Sequence, residues 1–148
     1  MPRPLAWRLS ADAYPHSQSV QTRFQDMDVL GHLNNVAFAA LFETARTKFN
    51  HAIGLWAGLQ RRRSVVAQVE INYLAEGSYP EDVVIATGIG AVGTRSWEIL
   101  AAMFQHDQCI ATCDVTIVMA IGEDGSALPG DFRATLVEWA ARGSREAA

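Results

Sequence analysis

The sequence predicts an α+β fold in which a curved antiparallel sheet of five strands wraps around a long central helix, with a C-terminal helix added. Residues that alternate as in strands occur once before, and repeatedly after, a single long segment with helical spacing. The later strand-like segments are joined by connections too short for parallel crossovers. One helix packed on one antiparallel sheet is the simplest arrangement of these parts. We expect a single domain over residues 1–148, with its core at about residues 16–125.

The first strand and a polar loop precede the helix. Residues 16–24 alternate towards their end, with Val20, Thr22 and Phe24 on one side. This period of two residues is typical of a half-buried strand. The next segment, DMDVLGHLNN, is polar and contains a glycine, which predicts a loop.

Residues 35–53 are predicted to form the long helix. Asn34 is a good N-cap, and Gly54 supplies a stop. The first half, VAFAALF, is apolar almost all round, so we expect the helix to be buried on most sides. The apolar residues that recur every three or four positions are Phe38, Leu41, Phe42, Ala45, Phe49 and Ile53.

Four further strands are predicted, at residues 64–74, 82–91, 96–104 and 109–120. Their short connections predict a meander of neighbouring antiparallel strands. A final amphipathic helix at about residues 131–142 would turn Phe132, Leu136 and Trp139 inward. One face of the first of these four strands would consist of Val65, Ala67, Val69, Ile71 and Tyr73.

Composition restricts the class of protein. The chain has 148 residues, 49% of them hydrophobic and 19% charged, which suits a globular domain. Its formal charge of −4 disfavours nucleic acid as a partner. No apolar run reaches the roughly 20 residues of a membrane span, and the N-terminal MPRPLAWRLS lacks the apolar core of a signal peptide. Cys109 and Cys113 would lie about 13 Å apart in a strand, too far for a disulfide, so we expect reduced cysteines and a cytoplasmic location.

The densest group of chemically useful side chains lies just before the helix. It comprises Asp26, Asp28, His32, Asn34 and Asn35. Carboxylates, an imidazole and amides suit acid–base or nucleophilic chemistry. The first turn of a helix has unpaired N–H groups and partial positive charge, so it can hold an oxyanion. A glycine in this loop, Gly31, allows a sharp turn or the close approach of a ligand to the backbone.

Each of these residues also has a structural interpretation. Aspartates in such loops commonly cap turns with their side chains. A lone histidine such as His32 is more often packed or solvated than catalytic. Loops that bind hard cations usually offer more carboxylates at regular spacing, so we expect no metal. Taken one by one, the residues leave the function open.

The segment TRFQDMDVLGHLNNVAFAALFETAR, residues 22–46, resembles the signature of the 4-hydroxybenzoyl-CoA thioesterase-like hotdog family. The shared features are D-x-D, then G-H-x-N-N, then E-x-A-R on the long helix, with Phe38 where the family often has tyrosine. The segment VVAQVEINYLAEGSYPEDVVI, the Gly93–Ser96 turn and residues 109–119 resemble later parts of that family. The resemblance covers about residues 16–125.

This resemblance implies a hotdog fold and an enzyme that hydrolyses acyl-CoA or acyl carrier protein thioesters. Asp28 corresponds to the family's catalytic carboxylate, either a general base or a nucleophile that forms a mixed anhydride. The family's backbone N–H that polarises the thioester carbonyl falls near Asn35, and His32 is a further candidate for proton transfer. Asp26 and Glu43 are expected to support these residues, although Glu43 could simply pair with Arg46 or Thr47 on the helix.

Substrate binding and assembly are also implied. The coenzyme A phosphates need cationic or hydrogen-bonding groups, although the triple arginine suits a solvated turn equally well. No cofactor is expected, since coenzyme A is part of the substrate. In this family the site lies between subunits, which implies a homodimer or a tetramer built as a dimer of dimers. The candidate binding residues are Gly31, Asn34, Arg61, Arg62, Arg63, Thr94, Arg95 and Ser96.

Two other functions stay open. A non-catalytic acyl-binding hotdog protein would keep the fold and the dimer without needing the carboxylate of Asp28. Hotdog dehydratases and hydratases contain different motifs, either an H-x-x-x-x-P-type loop or an Asp-His pair on the helix. This sequence has neither motif. The acyl group is not given by the sequence.

Overall fold

The computed structural model describes residues 3–55, 63–120 and 127–143, in which five strands form one antiparallel sheet. The strand order in this sheet is β1-β3-β4-β5-β2. This arrangement of sheet, long helix and C-terminal helix confirms the predicted fold class. The elements are β1 (His16–Val20), α1 (Asn35–Ala52), β2 (Ser64–Tyr73), β3 (Val83–Val92), β4 (Ser96–Gln105), β5 (Gln108–Met119) and α2 (Gly130–Glu138).

Helix α1 begins and ends where local sequence signals place its ends. The Asn34 side-chain oxygen accepts a hydrogen bond from the Ala37 N–H at 2.8 Å, as an N-cap does. After Ala52 the chain passes through Gly54 with φ +71°, a left-handed conformation that glycine adopts without strain. Among the described residues, no helix is long and apolar enough to cross a bilayer.

The sheet covers only one side of α1. The buried side includes Phe38, Phe42 and Phe49, none more than 3% exposed. On the opposite side Val36 is 71% exposed, and Ala39 and Ala40 are exposed as well. The expectation that the helix would be buried on most sides is therefore wrong for a single chain, because a single sheet packs against one face of the helix only.

Strand β2 does not continue into a meander. Strands β3, β4 and β5 follow one another as hairpins, as predicted, but β2 pairs with β5 at the far edge of the sheet and not with β3. Residues 74–82 make this crossing possible. The Leu74 and Ala75 N–H groups donate to Ile110 O at 2.9 and 3.2 Å, and the segment then passes the end of β4 before it enters β3. We call residues 74–82 the crossover segment.

A bulge in β2 changes which of its side chains face the helix. The pairing with β5 shifts between Val66 and Gln68, so Ala67 is the extra residue. Val66 stands opposite the core residue Ile117, and Val69 stands opposite Val115. The prediction that Val65 and Ala67 share a face with Val69 is wrong, since an inserted residue reverses the alternation.

Part of the outer face of the sheet is covered by the N-terminal segment around Arg8 and Tyr14. Arg8 is buried there, with an ion pair to Asp114 at 2.7 Å and a hydrogen bond to the Tyr14 hydroxyl at 2.7 Å. Burial of the Tyr14 phenol raises its pKa to about 12. The N-terminal segment is thereby fixed to strands β4 and β5 by a buried polar network.

The C-terminal helix is shorter than predicted. Phe132 and Leu136 are buried, as expected, but α2 ends at Glu138 and not near residue 142. The chain then pairs with β3, since Ile89 N donates to Trp139 O and Ala141 N donates to Ile89 O, both at 2.9 Å. Trp139 N still donates to Thr135 O at 3.3 Å, as in a helix, whereas Ala141 N bonds to the strand in place of a helical carbonyl.

Replacing Gly88 with alanine should detach this C-terminal segment. A Cβ at Gly88 would lie 2.7 Å from Pro15 Cδ and 3.1 Å from the Ala141 backbone nitrogen, and neither is a flexible side-chain end. We expect Gly88→Ala to lower the free energy of unfolding by about 1–3 kcal/mol, measured by urea denaturation. Gly130→Ala is the matched control, because a Cβ there meets nothing within 4 Å. Equal stability of the two variants would contradict the prediction.

Candidate active site

The loop before α1 is a narrow hairpin. Its ends are joined by a hydrogen bond from Asn34 N to Asp26 O at 2.9 Å, and Met27 and Leu33 form a β-bridge above it. Asp28 N donates to the carbonyl oxygen of His32 at 2.8 Å. The loop therefore holds its tip at a fixed place relative to the first turn of the helix.

Asp28 organises the tip of this hairpin. Gly31 N donates to Asp28 O at 3.1 Å, and Gly31 has φ +82°, in the left-handed region that favours glycine. The carboxylate oxygen Oδ1 of Asp28 accepts from the N–H groups of Leu30 at 2.9 Å and His32 at 3.2 Å. Its other oxygen, Oδ2, has no hydrogen-bond partner among the described residues. The side chain is exposed, so one oxygen caps the turn and the other is available to a ligand.

The first turn of α1 offers two free donors next to this loop. Ala37 N is taken by the Asn34 side chain, and Phe38 N donates to Asn34 O at 3.1 Å. The backbone N–H groups of Asn35 and Val36 have no partner within the described ranges, and both residues are exposed. Two N–H groups at the positive end of a helix can stabilise a negatively charged oxygen.

Asp26 fixes the base of the loop. Its side chain is 4% exposed and forms an ion pair with Arg23 at 2.9 Å, and it also accepts from the Arg23 backbone N–H at 2.9 Å. Burial of the Asp26 carboxyl would raise its pKa, but the hydrogen bonds and the charge of Arg23 outweigh this effect, and the pKa is lowered. Asp26 is therefore ionised and engaged inside the protein at neutral pH.

His32 faces the crossover segment through its imidazole. Its Nε2 lies 3.0 Å from Glu76 Oε2, whereas its contacts with Asp28 are made by its backbone N–H and carbonyl. Next to it, Leu33 N donates to Gly77 O at 2.9 Å. The crossover segment thus supports the hairpin along one side.

Gln105 in turn holds the crossover segment. Its buried amide accepts from Ser78 N at 2.9 Å and donates to the carbonyl oxygens of Ser78 at 2.8 Å and Glu81 at 3.0 Å. Sequence reasoning missed both Gln105 and Glu76. No local signal could reveal them, since each is far along the chain from the loop that it supports.

The structure does not bring the other predicted binding residues to this loop within one chain. Arg63 and the turn at residues 94–95 lie together at one end of β5, where Ala120 N donates to Arg63 O and Met119 N to Arg95 O. Ser96 begins β4 beside them. The loop lies at the other end, near Tyr73, so the ten residues of β2 separate the two groups by about 30 Å. Arg61 and Arg62 lie outside the described residues.

Glu43 is also remote from the hairpin. It lies two turns beyond Asn35, about 12 Å along the helix. It is 73% exposed, and its Oε2 lies 3.8 Å from Arg46. This is the intrahelical pair that the sequence offers as its structural role.

Burial makes both cysteines poor nucleophiles, since it raises the pKa of each thiol. Cys109 and Cys113 are free thiols, as predicted. Burial raises the pKa of Cys113 to about 12, so the thiol is protonated at neutral pH. Within residues 3–55, 63–120 and 127–143, no three His, Cys, Asp or Glu side chains lie close enough together to hold a metal ion.

Comparison with known proteins decides the family. The model of the thioesterase-like superfamily matches residues 22–138, which include the hairpin, α1 and the whole sheet except β1. The chain belongs to this superfamily. Its fold is the hotdog fold that the sequence resemblance implies.

Several similar proteins agree with the assignment of this chain to the thioesterase-like superfamily. A thioesterase from Thermus thermophilus, solved with coenzyme A and Zn, is 25% identical with a TM-score of 0.74, covering 89% of this chain and 98% of that one. A predicted thioesterase from Bacillus stearothermophilus is 25% identical with a TM-score of 0.72, covering 84% and 95%. The uncharacterized protein YsmA of Bacillus subtilis (strain 168) is 27% identical over 124 residues, 82% of each chain.

The lowered pKa of Asp26 predicts a dependence of stability on pH. A carboxyl whose pKa is lowered by folding stabilises the protein fully at pH values above its ordinary pKa of 3.8. This stabilisation is lost as the pH falls from there through the lowered pKa of the folded state. Because Arg23 is mostly exposed, we expect Asp26→Asn to lower the free energy of unfolding by only about 1 kcal/mol at pH 7. Urea denaturation at a series of pH values should show that the free energies of unfolding of Asp26→Asn and the unmodified protein become equal as the pH falls below 3.8.

The control for this experiment is Asp12→Asn, since Asp12 is an exposed carboxylate near the N-terminus. It should leave the free energy of unfolding at pH 7 nearly unchanged. If the free energies of unfolding of Asp26→Asn and the unmodified protein differ by the same amount down to the lowest pH, the charge of Asp26 is not the cause of the difference.

Proposed function

We propose that this chain is an acyl-CoA thioesterase that hydrolyses an acyl-thioester to the free acid and the coenzyme A thiol. The observation that carries the proposal is the single hydrogen-bonded unit formed by the hairpin and the helix start. It holds the free Oδ2 of Asp28 and the free N–H groups of Asn35 and Val36 on one rigid element.

Asp28 would act through Oδ2 in one of two ways. As a general base it takes a proton from water, the oxygen of that water adds to the thioester carbon, and the carbon–sulfur bond then breaks to release thiolate. As a nucleophile Oδ2 itself adds to the carbon and expels thiolate, leaving a mixed anhydride that water cleaves. In both routes the thiolate ends as thiol by taking up a proton.

The helix start would stabilise the oxygen of the tetrahedral intermediate. The N–H groups of Asn35 and Val36 are unpaired donors at the positive helix terminus, and their geometry is fixed by the Asn34 cap. The amide side chain of Asn35 cannot transfer a proton, so proton transfer falls to Asp28, His32 or water. His32, held by Glu76, would orient the loop or shuttle a proton at its edge.

A second copy of the chain would complete the site. An exposed carboxylate is well hydrated and a weak base, and burial would increase its basicity. Within the part of the chain that the structure describes, the outer edge of β2 has no neighbouring strand, and apolar side chains of β2, the hairpin and the helix start are exposed. Pairing two copies here would cover this edge and these side chains. The exposed residues concerned are Val29, Leu30, Val36, Val65, Val66, Val69 and Tyr73.

Coenzyme A as part of the substrate is supported by the related Thermus thermophilus thioesterase solved with coenzyme A. Within one chain Arg63 and Arg95 lie at the end of β5 remote from the hairpin. If they bind the phosphates, they do so for the hairpin of the partner subunit. Gly31 and Asn34 would contact the thioester end of the same substrate.

Asp28→Asn should abolish most of the activity without unfolding the loop. Asparagine keeps an oxygen that can accept from the Leu30 and His32 N–H groups, but it is neither a base nor a nucleophile. We expect kcat to fall at least ~100-fold. The measurement is thiol release from a panel of acyl-CoAs, detected with a thiol reagent, together with the melting temperature of each protein.

Asp131→Asn is the matched control, because Asp131 is also an exposed aspartate whose Oδ1 accepts a backbone N–H, that of Phe132. It should keep full activity. Full activity of Asp28→Asn would remove Asp28 from the mechanism.

Charges on both faces of the β2 edge should prevent dimer formation. The double variant Val65→Lys/Val69→Lys places lysines at two positions that are 62% and 49% exposed in the single chain, so folding is little affected. We expect light scattering to give a mass of at least two chains for the unmodified protein and of one chain for the double variant. Val84→Lys, on the interior strand β3 and 39% exposed, is the control. An unmodified protein that is already monomeric would refute the proposed assembly.

A non-catalytic acyl-binding protein is the second candidate. The observation that favours it is the capping role of Asp28 Oδ1, which by itself would explain an aspartate at this position. Tight binding of acyl-CoA without thiol release from any chain length would support this function over hydrolysis.

A further inference from the structure

The tip of the hairpin lies beyond the residue that joins the hairpin to α1. Asn34 fixes the base, and residues 28–32 form the tip. Within the tip His32 is bonded to Asp28 twice, since its N–H donates to Asp28 Oδ1 at 3.2 Å and its carbonyl accepts from Asp28 N at 2.8 Å. A movement of the His32 backbone would therefore move the carboxylate of Asp28.

The crossover segment packs directly against this arm of the hairpin. Leu33 N donates to Gly77 O at 2.9 Å, and His32 Nε2 lies 3.0 Å from Glu76 Oε2. The packing is close, because a Cβ added at Gly77 would lie 2.6 Å from Cδ1 of the buried Leu33. The Glu76 side chain is 74% exposed, so its pair with His32 contributes little energy. The buried contact at Gly77 is the firmer of the two.

A single peptide group joins this contact to Gln105. The oxygen of the Gly77–Ser78 peptide accepts from Leu33 N, and the N–H of the same peptide donates to Gln105 Oε1 at 2.9 Å. The two groups of a trans peptide point in opposite directions and are held in one plane. Gln105 and the hairpin therefore bind opposite sides of one rigid group.

The Gln105 amide also holds the chain on the far side of this peptide. Its Nε2 donates to Ser78 O at 2.8 Å and to Glu81 O at 3.0 Å. Glu81 O also accepts from the buried hydroxyl of Thr22 at 3.0 Å. Because the Gln105 residue is only 5% exposed, water competes little for these bonds.

Gln105 is itself fixed by the sheet. It is the last residue of β4, an interior strand, and it pairs with Gln108 of β5. The two residues between them, His106 and Asp107, have φ values of 53° and 60°, as in the tight two-residue turns that join antiparallel strands. The amide therefore extends from the closed end of two paired strands.

On the basis of the proposed thioesterase function, we propose that Gln105 is a positioning residue of the reaction. Through the Gly77–Ser78 peptide it limits how far the hairpin tip can bend, and so it sets the direction in which Asp28 Oδ2 meets the thioester. It acts through other residues and not by contact with the substrate. Without this support the carboxylate would be misaligned with the N–H groups of the helix start in part of the bound molecules, and misalignment of reacting groups slows the reaction.

Gln105→Met removes the amide and keeps an unbranched side chain of similar length. We expect kcat for acyl-CoA hydrolysis by the full chain, measured by thiol release, to fall about 10-fold. KM should change less than about 2-fold, because a misaligned carboxylate slows the reaction without weakening substrate binding. Ser78→Ala is the matched control, since it keeps the backbone atoms that Gln105 binds and removes only a hydroxyl with contacts of 3.3 and 3.5 Å. It should keep kcat.

Gly88→Ala separates positioning from loss of stability. It is expected to destabilise the protein by displacing the C-terminal segment and not the crossover segment. At a temperature well below its melting temperature it should keep kcat. A fall in kcat equal to that of Gln105→Met would show that lower stability, and not positioning, slows the reaction.

Gly77→Ala disturbs the same contact from the other end and leaves the buried amide in place, so it tests the proposal even if Gln105→Met does not fold. The added Cβ forces the Leu33 side chain to shift. We expect kcat to fall at nearly constant KM. The double variant should be no slower than the slower single variant, because both substitutions act on one contact. Effects of the two substitutions that multiply would show that Gln105 acts by another route, and the assignment would be wrong.

Hydrogen exchange measures the positioning without catalysis. The Leu33 N–H, bonded to Gly77 O, should exchange at least about 10-fold faster in Gln105→Met. The reference is the Ala141 N–H, which is bonded to Ile89 O in the C-terminal segment and should change little. In Gly88→Ala the Ala141 N–H should be the faster one and the Leu33 N–H should change little.

The outcomes separate the two proposals. If the unmodified protein hydrolyses acyl-CoA and neither Gln105→Met nor Gly77→Ala lowers kcat, the positioning role is overturned and the thioesterase function stands. If the Leu33 N–H exchanges faster in Gln105→Met but the unmodified protein hydrolyses no acyl-CoA, the thioesterase function is overturned and the fixing of the hairpin by Gln105 stands. Unchanged exchange of the Leu33 N–H would overturn the positioning role whatever the activity.

Discussion

Asn34 joins the hairpin to the helix, and the geometry of the candidate site depends on this junction. Its backbone N–H donates to Asp26 O at the base of the loop, its carbonyl accepts from Phe38 N, and its side chain caps Ala37 N. All three groups are used within one residue, so the loop cannot turn relative to α1 without breaking a hydrogen bond. The free N–H groups of Asn35 and Val36 and the carboxylate of Asp28 are therefore parts of one rigid unit, which suits a reaction in which attack and charge stabilisation must be aligned.

The carboxylate of Asp28 stabilises the folded hairpin and, in the proposed function, also takes part in the reaction. Oδ1 of Asp28 holds the tip through two backbone N–H groups, and the price of that arrangement is that only Oδ2 is available for reaction. The division also has an advantage. An oxygen anchored by the backbone keeps the side chain in one rotamer, so the free oxygen needs no ordering when substrate binds.

Local features of the structure could be predicted from the sequence, whereas long-range pairings could not. The cap at Asn34 and the stop at Gly54 follow from residue types that act within one turn, and the hairpins of β3, β4 and β5 follow from short connections. The pairing of β2 with β5 instead joins residues far apart in the chain, from Ser64 with Met119 to Tyr73 with Ala111. Periodicity cannot show such a contact, nor can it show the bulge at Ala67.

The candidate site shows the same division between residues that are adjacent in the chain, which could be predicted, and residues far from the loop, which could not. The motif placed Asp28, His32 and Asn35 on one loop, because these residues are adjacent in the chain. It could not show that the His32 imidazole meets Glu76, or that Gln105 holds the segment to which Glu76 belongs. The sequence also offered Arg63 and Arg95 as candidates to bind the coenzyme A phosphates, and in one chain they lie at the end of β5 remote from the loop. The binding residues therefore belong with the hairpin only if a second subunit is present.

The exposed edge of β2 can serve both an assembly and a ligand, because the two would use different atoms. Edge-to-edge pairing of two copies engages backbone N–H and carbonyl groups in the plane of the sheet. The side chains of Val66, Val69 and Tyr73 point out of that plane, on the side of the sheet against which α1 packs. A second copy paired at the edge would thus leave the side chains on this face of β2 free to contact a ligand. Enclosure by the partner would remove water from both the acyl chain and the carboxylate of Asp28, so assembly and the basicity that catalysis needs would have the same physical cause.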